Sequence, residues 1–164
     1  MIVAYMLGLG MAACAPAAKL QPQDQSCYLN VAAMHAVVNA QAAASLISAF
    51  RRENGLGPVT VDAELMRFAQ THARAMATYN QMGHDVGVSF TERRRTIRAR
   101  VVAENVGAAY RTVSEAFVGW RDSPAHRANM LDPAVTRIGI AAVDAPGSDY
   151  YKNFWALVLA SPRR

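Results

Sequence analysis

The stretch YKNFWALVLA, residues 151–160, decides the fold because nearly all of its positions are apolar. Side chains alternate between the two faces of an extended strand, which places Trp155 and Leu157 on one face and Phe154 and Val158 on the other. A strand that is apolar on both faces is covered on both sides by other layers. Helices are the only cover that the sequence offers, so we predict a sheet enclosed between helices.

Two other segments predict further strands. Ile138, Ile140 and Ala142 alternate along the chain, and the turn-forming cluster DAPGSD at 144–149 separates them from the apolar stretch. The segment 101–106 supplies a third strand. The sequence contains no internal repeat and no glycine-rich phosphate loop. We therefore expect one domain whose sheet has about three strands.

Helical spacing and capping residues predict the helical layers. From about Leu29 to Glu53, apolar residues recur with helical periodicity, and Asn54-Gly55 ends this helix. Asp62 is a suitable N-cap for a second helix. The buried stripe of that helix comprises Leu65, Ala69, His72, Ala73 and Met76. Because His72 belongs to this apolar face, we interpret it as a core histidine rather than a ligand.

Residues 111–132 predict two more helices. Thr112 and Glu115 match a capping box at the start of the first. Ser123 and Pro124 start the second, and we expect the Ser123 hydroxyl to accept the backbone N–H of His126. The positive end of this helix disfavours a protonated ring, so we expect His126 to be neutral.

The N-terminal residues predict export. Residues 2–13 form an apolar run of signal-peptide length, too short to span a bilayer, and Ala12-Ala13 precede Cys14 in a pattern that resembles a bacterial lipobox. We expect residues 1–13 to be a lipoprotein-type signal peptide, Cys14 to be lipidated, 14–28 to be a tether and 29–164 to be the domain. The first five residues carry no basic side chain, so a plain secretory signal or a retained anchor is the alternative. The protein is then a membrane-anchored lipoprotein of the bacterial envelope, or it is secreted.

The two cysteines do not form a disulfide framework for the fold. If Cys14 is acylated, Cys27 has no partner; if it is not, the oxidising space outside the cytoplasm permits a Cys14–Cys27 disulfide. The fold therefore depends on its hydrophobic core.

The chain is basic, with 17 Lys and Arg against 12 Asp and Glu, a net charge of +5. Much of the excess lies in one run of arginines: Arg93, Arg94, Arg95, Arg98 and Arg100. This run is either a solvated loop or a contact with anionic lipid or polysaccharide of the envelope. We do not expect nucleic acid as a partner, because the chain is exported and the run lacks interleaved aromatic residues.

Two histidines and a carboxylate are the candidate functional residues. His84, Glu104 and His126 lie in separate segments, next to Gly83, Asn105 and a Ser-Pro pair respectively. Brought together, they could bind a metal or transfer protons. They could equally form a hydrogen-bonded cluster that holds one loop to another. The residues alone leave both interpretations open.

Seven short motifs follow one another in a recognisable order. They are NGLGP from Asn54, Asp62-x-x-Leu65 with His72-Ala73, Gly83-His84, Phe90-x-x-Arg93, Glu104-Asn105, Trp120-x-x-Ser123-Pro-x-His126-Arg127-x-Asn129 and Ile138-Gly139-Ile140. This order resembles the CAP family, named for cysteine-rich secretory proteins, antigen 5 and pathogenesis-related 1, and in particular its short bacterial branch. The resemblance covers roughly residues 46–159.

The resemblance implies an α+β fold, an α-β-α sandwich with a small antiparallel sheet, and a central cleft. In many eukaryotic members, two His and two Glu line this cleft and can bind a divalent metal. His84, Glu104 and His126 match three of these positions, whereas Ser123 stands at the second Glu. We therefore expect at most a weakly bound divalent metal such as zinc. The resemblance also implies that four neighbours are structural: Arg93, Asn105, Trp120 and Asn129.

The sequence leaves several functions open. The first is a non-enzymatic module that binds a lipid, a sterol-like molecule or a polysaccharide through the cleft of His84, Glu104, Ser123 and His126. The alternative is a metal-dependent, peptidase-like hydrolase that uses the same cleft. A purely structural cluster is the third. The sequence has no G-x-S-x-G motif and no cysteine near the histidines, which favours a protein that is not an enzyme.

Overall fold

The computed structural model describes residues 35–148 and 150–163. The expected signal peptide, the tether, Cys14 and Cys27 all lie outside these residues. Among the described residues, no helix has both the length and the apolar composition needed to cross a bilayer.

Helices and strands alternate irregularly along the described residues. They are α1 (Ala40–Glu53), β1 (Thr60–Val61), α2 (Ala63–Tyr79), α3 (Phe90–Arg93), β2 (Val102–Ala108), α4 (Val113–Asp122), α5 (Pro124–Met130), β3 (Arg137–Asp144) and β4 (Asn153–Ala160). A 3-10 turn, Arg94–Thr96, directly follows α3.

The four strands form one sheet in the order β1-β3-β4-β2. Strand β4 pairs in antiparallel fashion with both β3 and β2, whereas β1 pairs in parallel with β3. The three antiparallel strands are those that the sequence indicates. The sequence does not predict β1, because two residues are too short to display an alternating pattern. Strand β2 is an outer strand, so other segments can approach it beyond the edge of the sheet.

Both faces of β4 are covered, and all eight of its residues are buried. One face packs against α1 and α4, in a core that includes Ile47, Trp120, Trp155 and Leu157. The other face packs against α2, in a core that includes Leu65, Met76, Phe154 and Val158. The predicted α-β-α sandwich of the α+β class is confirmed.

Helix α2 lies very close to β3. A β-carbon at Gly139 would collide with the backbone of Leu65 and Met66, so only glycine permits this approach. The side chain of Asp62 caps the helix, as predicted, by accepting the backbone N–H groups of Glu64 and Leu65. The whole predicted stripe of α2, which includes His72, is buried.

Helix α1 begins at Ala40, and the predicted start near Leu29 is wrong for residues 35–39, which are not helical. The Asn39 side chain caps the helix by accepting the backbone N–H of Ala42 at 2.9 Å. The preceding N–H groups bind distant segments: that of Val37 donates to the Arg111 carbonyl, and that of Ala36 to Asp144. Tertiary contacts therefore override the helical periodicity of this segment.

One buried cation fixes the end of α5. Arg51 on α1 is 1% exposed. Its guanidinium donates to the backbone carbonyls of Gly57, Met130, Asp132 and Val135 at 2.7–2.9 Å. These bonds connect α1 to the segment that joins α5 to β3. Sequence periodicity does not reveal this contact, because it spans about half of the chain.

Candidate functional site

A buried carboxylate lies at the centre of the site. Glu104 is on the outer strand β2, opposite Val158 of β4, on the face that α2 covers. Its side chain has no exposed surface. A carboxylate in such a position needs hydrogen-bond donors around it, because burial removes the water that would otherwise solvate its charge.

Arg93 supplies two of these donors. Its two terminal nitrogens donate to Glu104, Nη1 to Oε2 at 2.9 Å and Nη2 to Oε1 at 3.1 Å. The same guanidinium donates to the carbonyls of Val88 and His84. It also lies 5.1 Å from the centre of the Phe68 ring. Arg93 therefore fixes Glu104 and the loop that carries His84 with one planar group.

His84 binds the same carboxylate from the solvent side. Its Nδ1 donates to Glu104 Oε1 at 3.1 Å, and 46% of its side chain is exposed. The bond to Glu104 raises the pKa of His84, because it favours the protonated ring. The Phe90 ring lies 6.3 Å away. Among the described residues, Nε2 of His84 has no hydrogen-bond partner, and it remains available for a ligand.

His72 is a buried member of the site that sequence reasoning assigned only to the core. It is fully buried on α2, as predicted. Its Nε2 donates to the Gly83 carbonyl at 2.8 Å and lies 3.5 Å from Glu104 Oε1. Burial lowers the pKa of His72, so the ring is neutral at pH 7. In the sequence, the position of His72 on the apolar face of α2 is what indicates a polar contact, because a buried imidazole requires a polar partner.

The charge of Glu104 is retained despite its burial. Burial alone would raise the pKa of this carboxyl group, but the hydrogen bonds from His84 and Arg93 outweigh that effect and lower it. Glu104 is therefore ionised at neutral pH, and both of its oxygens accept bonds from neighbouring side chains.

His126 lies near His84 but is not hydrogen-bonded to Glu104. It is half-buried on α5, and burial together with the charge of His84 lowers the pKa of its ring. Within residues 35–148 and 150–163, its ring makes no hydrogen bond, whereas its backbone carbonyl accepts Asn105 Nδ2 at 3.1 Å. The structure thus joins His84 to Glu104 directly, with His126 within electrostatic reach.

Ser123 does not cap α5 with its hydroxyl, contrary to the prediction. It is the N-cap residue, but its side chain makes no capping bond. Its carbonyl instead accepts the backbone N–H of Arg127 at 2.8 Å. Pro124 at the first helical position has no N–H to satisfy and a preset φ, so α5 starts without the side-chain bond.

Three further side chains hold α4 and α5 against β2. Asn129 Nδ2 donates to Asn105 Oδ1 at 2.8 Å and to the Glu104 carbonyl at 3.3 Å. The indole of Trp120 donates to the Val106 carbonyl at 3.0 Å. Asn105 faces α5, while the adjacent Glu104 faces α2, because successive side chains of a strand point to opposite faces.

These residues, as arranged, do not fit the zinc site considered for His84, Glu104 and His126. Both oxygens of Glu104 are bound by Arg93 and His84, so a metal would compete with a guanidinium for the carboxylate. Across the described part of the chain, no group of three or more His, Cys, Asp or Glu side chains is placed to hold a metal ion. A catalytic zinc needs three such ligands.

Comparisons with known proteins agree with this architecture. The sequence profile of the cysteine-rich secretory protein family (CAP) matches residues 44–159. Protein YkwD of Bacillus subtilis, itself uncharacterized, is 29% identical over 113 residues, which are 66% of this chain and 44% of YkwD. The chain therefore spans less than half of the length of this relative.

Two solved structures share the fold. An extracellular SCP-domain protein of Bacillus anthracis superposes with a TM-score of 0.64 at 21% identity, covering 89% of this chain and 45% of that one. An outer surface protein of Borrelia burgdorferi superposes with a TM-score of 0.66 at 15% identity, covering 79% of this chain and 98% of that one. At these identities the likeness concerns the fold.

Proposed function

Because the chain belongs to the cysteine-rich secretory protein (CAP) family, we propose that it is a non-enzymatic binding module of an exported bacterial protein. Its ligand is a lipid, a sterol-like molecule or a polysaccharide of the cell envelope. The extracellular protein of Bacillus anthracis and the outer surface protein of Borrelia burgdorferi support this location. Attachment to the membrane through lipidated Cys14 is part of the same proposal.

The proposal rests on the observation that both carboxylate oxygens of Glu104 already accept hydrogen bonds from protein side chains. A general base needs a pKa near the working pH and a free oxygen to accept the proton. Glu104 has a lowered pKa, and Arg93 and His84 bind both of its oxygens. The carboxylate acts as a structural counter-charge that orients His84, and His84 presents its free nitrogen to a ligand.

A cavity adjoins the site at Arg93 and offers room for a small ligand, although His84 is not one of its walls. Its volume is about 400 Å³, and its walls combine apolar and polar side chains: Glu64, Arg67, Phe68, Thr71, Arg93, Thr96 and Ile97. Small-molecule sites commonly have this size. Arg93 lines the cavity and also binds Glu104, so it connects the cavity with the carboxylate.

The test is equilibrium binding of the full chain to soluble peptidoglycan fragments and to a short-chain bacterial phospholipid below its micelle concentration, because the anchor proposed at Cys14 would bind vesicles by itself. We expect one of them to bind, and we expect His84→Ala or Thr71→Trp to weaken that binding about tenfold, since a lost contact of 1.4 kcal/mol has this effect. Thr71 is exposed, so a tryptophan there fills the cavity mouth without entering the core. Unchanged affinity in both variants contradicts the proposal.

His35→Ala is the matched control for these variants. His35 is also an exposed histidine bound to a carboxylate, with Nδ1 2.6 Å from Asp144 Oδ2, but Asp144 is at the end of β3. We expect this variant to bind as the wild type does. A loss equal to that of His84→Ala would mean that the effect is not specific to the site.

A hydrolase is the second candidate, and one observation favours it. A half-exposed imidazole whose Nδ1 binds a carboxylate has the arrangement of a general base. In the described residues, however, no hydroxyl or thiol is hydrogen-bonded to His84. Peptide and ester hydrolysis above the buffer rate, lost in Glu104→Gln, would make this candidate the correct one.

A further inference from the structure

The run of arginines is only partly explained by the site. Arg93 binds Glu104, but the other four are exposed, and they are Arg94, Arg95, Arg98 and Arg100. Among the described residues, none of these four side chains forms an ion pair or a hydrogen bond. We propose that they form a docking surface for the headgroups of an anionic phospholipid bilayer.

The backbone that carries these arginines is fixed. Ile97, in the middle of the run, is 5% exposed and packs into the core on the α2 side. The backbone N–H groups of Arg100 and Val101 both donate to the hydroxyl of Ser161. The guanidinium groups therefore extend from a preorganised segment, which reduces the entropy lost on binding.

One exposed apolar side chain, Val88, adjoins this segment, and two others lie in the chain just before it. Val88 is 49% exposed, and its carbonyl accepts Arg93 Nε at 3.0 Å, which joins its loop to the arginines. Met82 of the same loop is 44% exposed, and Tyr79, which lies against Gly87, is 64% exposed. A bilayer interface accepts apolar side chains together with cations. A soluble polysaccharide offers no apolar phase, so this combination favours a membrane.

The local charge is also complementary to phosphate. Residues 79–100 contain the five arginines but only two carboxylates, Asp85 and Glu92. Asp85 already accepts the backbone N–H of Phe90. A guanidinium group can bind phosphate oxygens with two parallel hydrogen bonds, which suits headgroup recognition better than a single ammonium would.

The experiment measures partition of the full chain onto vesicles. The first vesicles contain phosphatidylcholine alone, and the second contain about 30% phosphatidylglycerol, enough for a negative surface potential. An N-terminal anchor binds both kinds, so the quantity of interest is the ratio of the two partition coefficients. We expect the wild type to prefer the anionic vesicles and to lose this preference as salt is raised.

Substitution of the four exposed arginines by glutamine should lower the ratio about tenfold or more, because each cation near an anionic surface strengthens binding severalfold. The control replaces four arginines outside this run by glutamine: the exposed Arg52, Arg74 and Arg111, and the half-buried Arg121, which is paired with Asp122. Both variants lose the same charge, so we expect the control to keep the wild-type ratio within about twofold. Equal losses in both variants would overturn the proposal.

A single substitution gives an independent readout. Val88→Ser removes an exposed apolar side chain and should reduce anionic partition severalfold without changing the charge. Val118→Ser, which removes a valine of similar exposure on α4, should leave the ratio unchanged. Lack of any wild-type preference for anionic vesicles, or binding to dextran sulfate in its place, contradicts the proposal.

Discussion

The ionised state of Glu104 depends on Arg93. Taking a carboxylate out of water costs several kcal/mol, and paired hydrogen bonds from a guanidinium are the strongest compensation that a side chain can give. Arg93 supplies two such bonds, and 11% of its own side chain is exposed. His84 cannot replace them, because it is neutral above its pKa and reaches one oxygen only.

We therefore predict that Arg93→Gln destabilises the domain by about 3 kcal/mol, the cost of leaving a buried charge without its partner. Urea unfolding of the full chain measures this change. Arg94→Gln is the control: the neighbouring side chain is exposed, and its loss should change the unfolding free energy by less than about 0.5 kcal/mol. Similar effects of the two substitutions would show that the ion pair contributes little.

For single residues, the sequence indicates which side chains belong to the site better than it indicates which of them are in contact. Resemblance singles out His84 and Glu104, which are indeed in contact. The contact between His72 and Glu104 depends on how far α2 is displaced along the sheet, a distance that no local pattern encodes. The same holds for the bond from Arg93 to the Val88 carbonyl, which folds the loop back on itself.

At the scale of elements, α2 packs directly on the backbone of β3 at Gly139. Gly139 has no room for a side chain, because a β-carbon would overlap the Leu65 backbone rather than a movable side chain. We predict that Gly139→Ala costs about 3 kcal/mol or more of unfolding free energy, the upper range for overpacking. Thermal unfolding followed by circular dichroism measures the loss.

Gly57→Ala is the matched substitution at an open position. No atom lies within 4 Å of the β-carbon that it would add. We expect a change within about 0.5 kcal/mol, or a small gain from the stiffer unfolded chain. If Gly139→Ala were equally mild, α2 could move away from β3, and the packing there would not determine the position of His72.

Features of a helix that depend only on neighbouring residues, such as its N-cap, are predictable from the sequence. The capping roles of Asp62 and Thr112 are confirmed, because each is a bond between a side chain and a backbone N–H two or three residues away. The start of α1 is not predictable in this way. There, Val37 forms a β-bridge with Thr112. This partner is 75 positions away in the chain, so the local spacing of apolar residues does not reveal it.

For the molecule as a whole, two ion pairs of the described residues respond to acid: the partly buried Asp62–Arg137 and the buried Glu104–Arg93. Burial would raise the pKa of Asp62, but Arg137 and the N–H groups of α2 lower it from 3.8 to about 2. The pKa of Glu104 is likewise below its ordinary 4.5. A carboxyl group with a lowered pKa stabilises the fold above its unfolded pKa, and this stabilisation is lost as the pH falls through the folded pKa.

We therefore predict that the urea midpoint falls as the pH is lowered from 4.5 to about 2. Arg137→Gln should flatten this fall, because Asp62 then titrates closer to its ordinary value. The measured quantity is the slope with pH, since the substitution also removes the bonds from Arg137 to the Ser161 carbonyl. Equal slopes for the wild type and the variant would contradict the assignment.

The layered architecture is the part that the sequence predicts best. The apolar residues on both faces of β4 require two covers, and the structure places α2 on one side and α1 with α4 on the other. The order of the strands in the sheet is harder to predict from the sequence. It depends on the two-residue strand β1 joining β3 in parallel, and such a short strand has no hydrophobic pattern of its own.

The position of β4 also has a consequence for biosynthesis. It is the last strand in chain order, yet it lies between β3 and β2 in the sheet. Until residues 153–160 emerge from a ribosome or a translocation pore, β2 has no strand to pair with, and the two helical layers meet only across β1 and β3. The domain consequently completes its fold late, after nearly all of the described chain has been delivered. A chain that ends before Asn153 should therefore leave β2 without a partner strand.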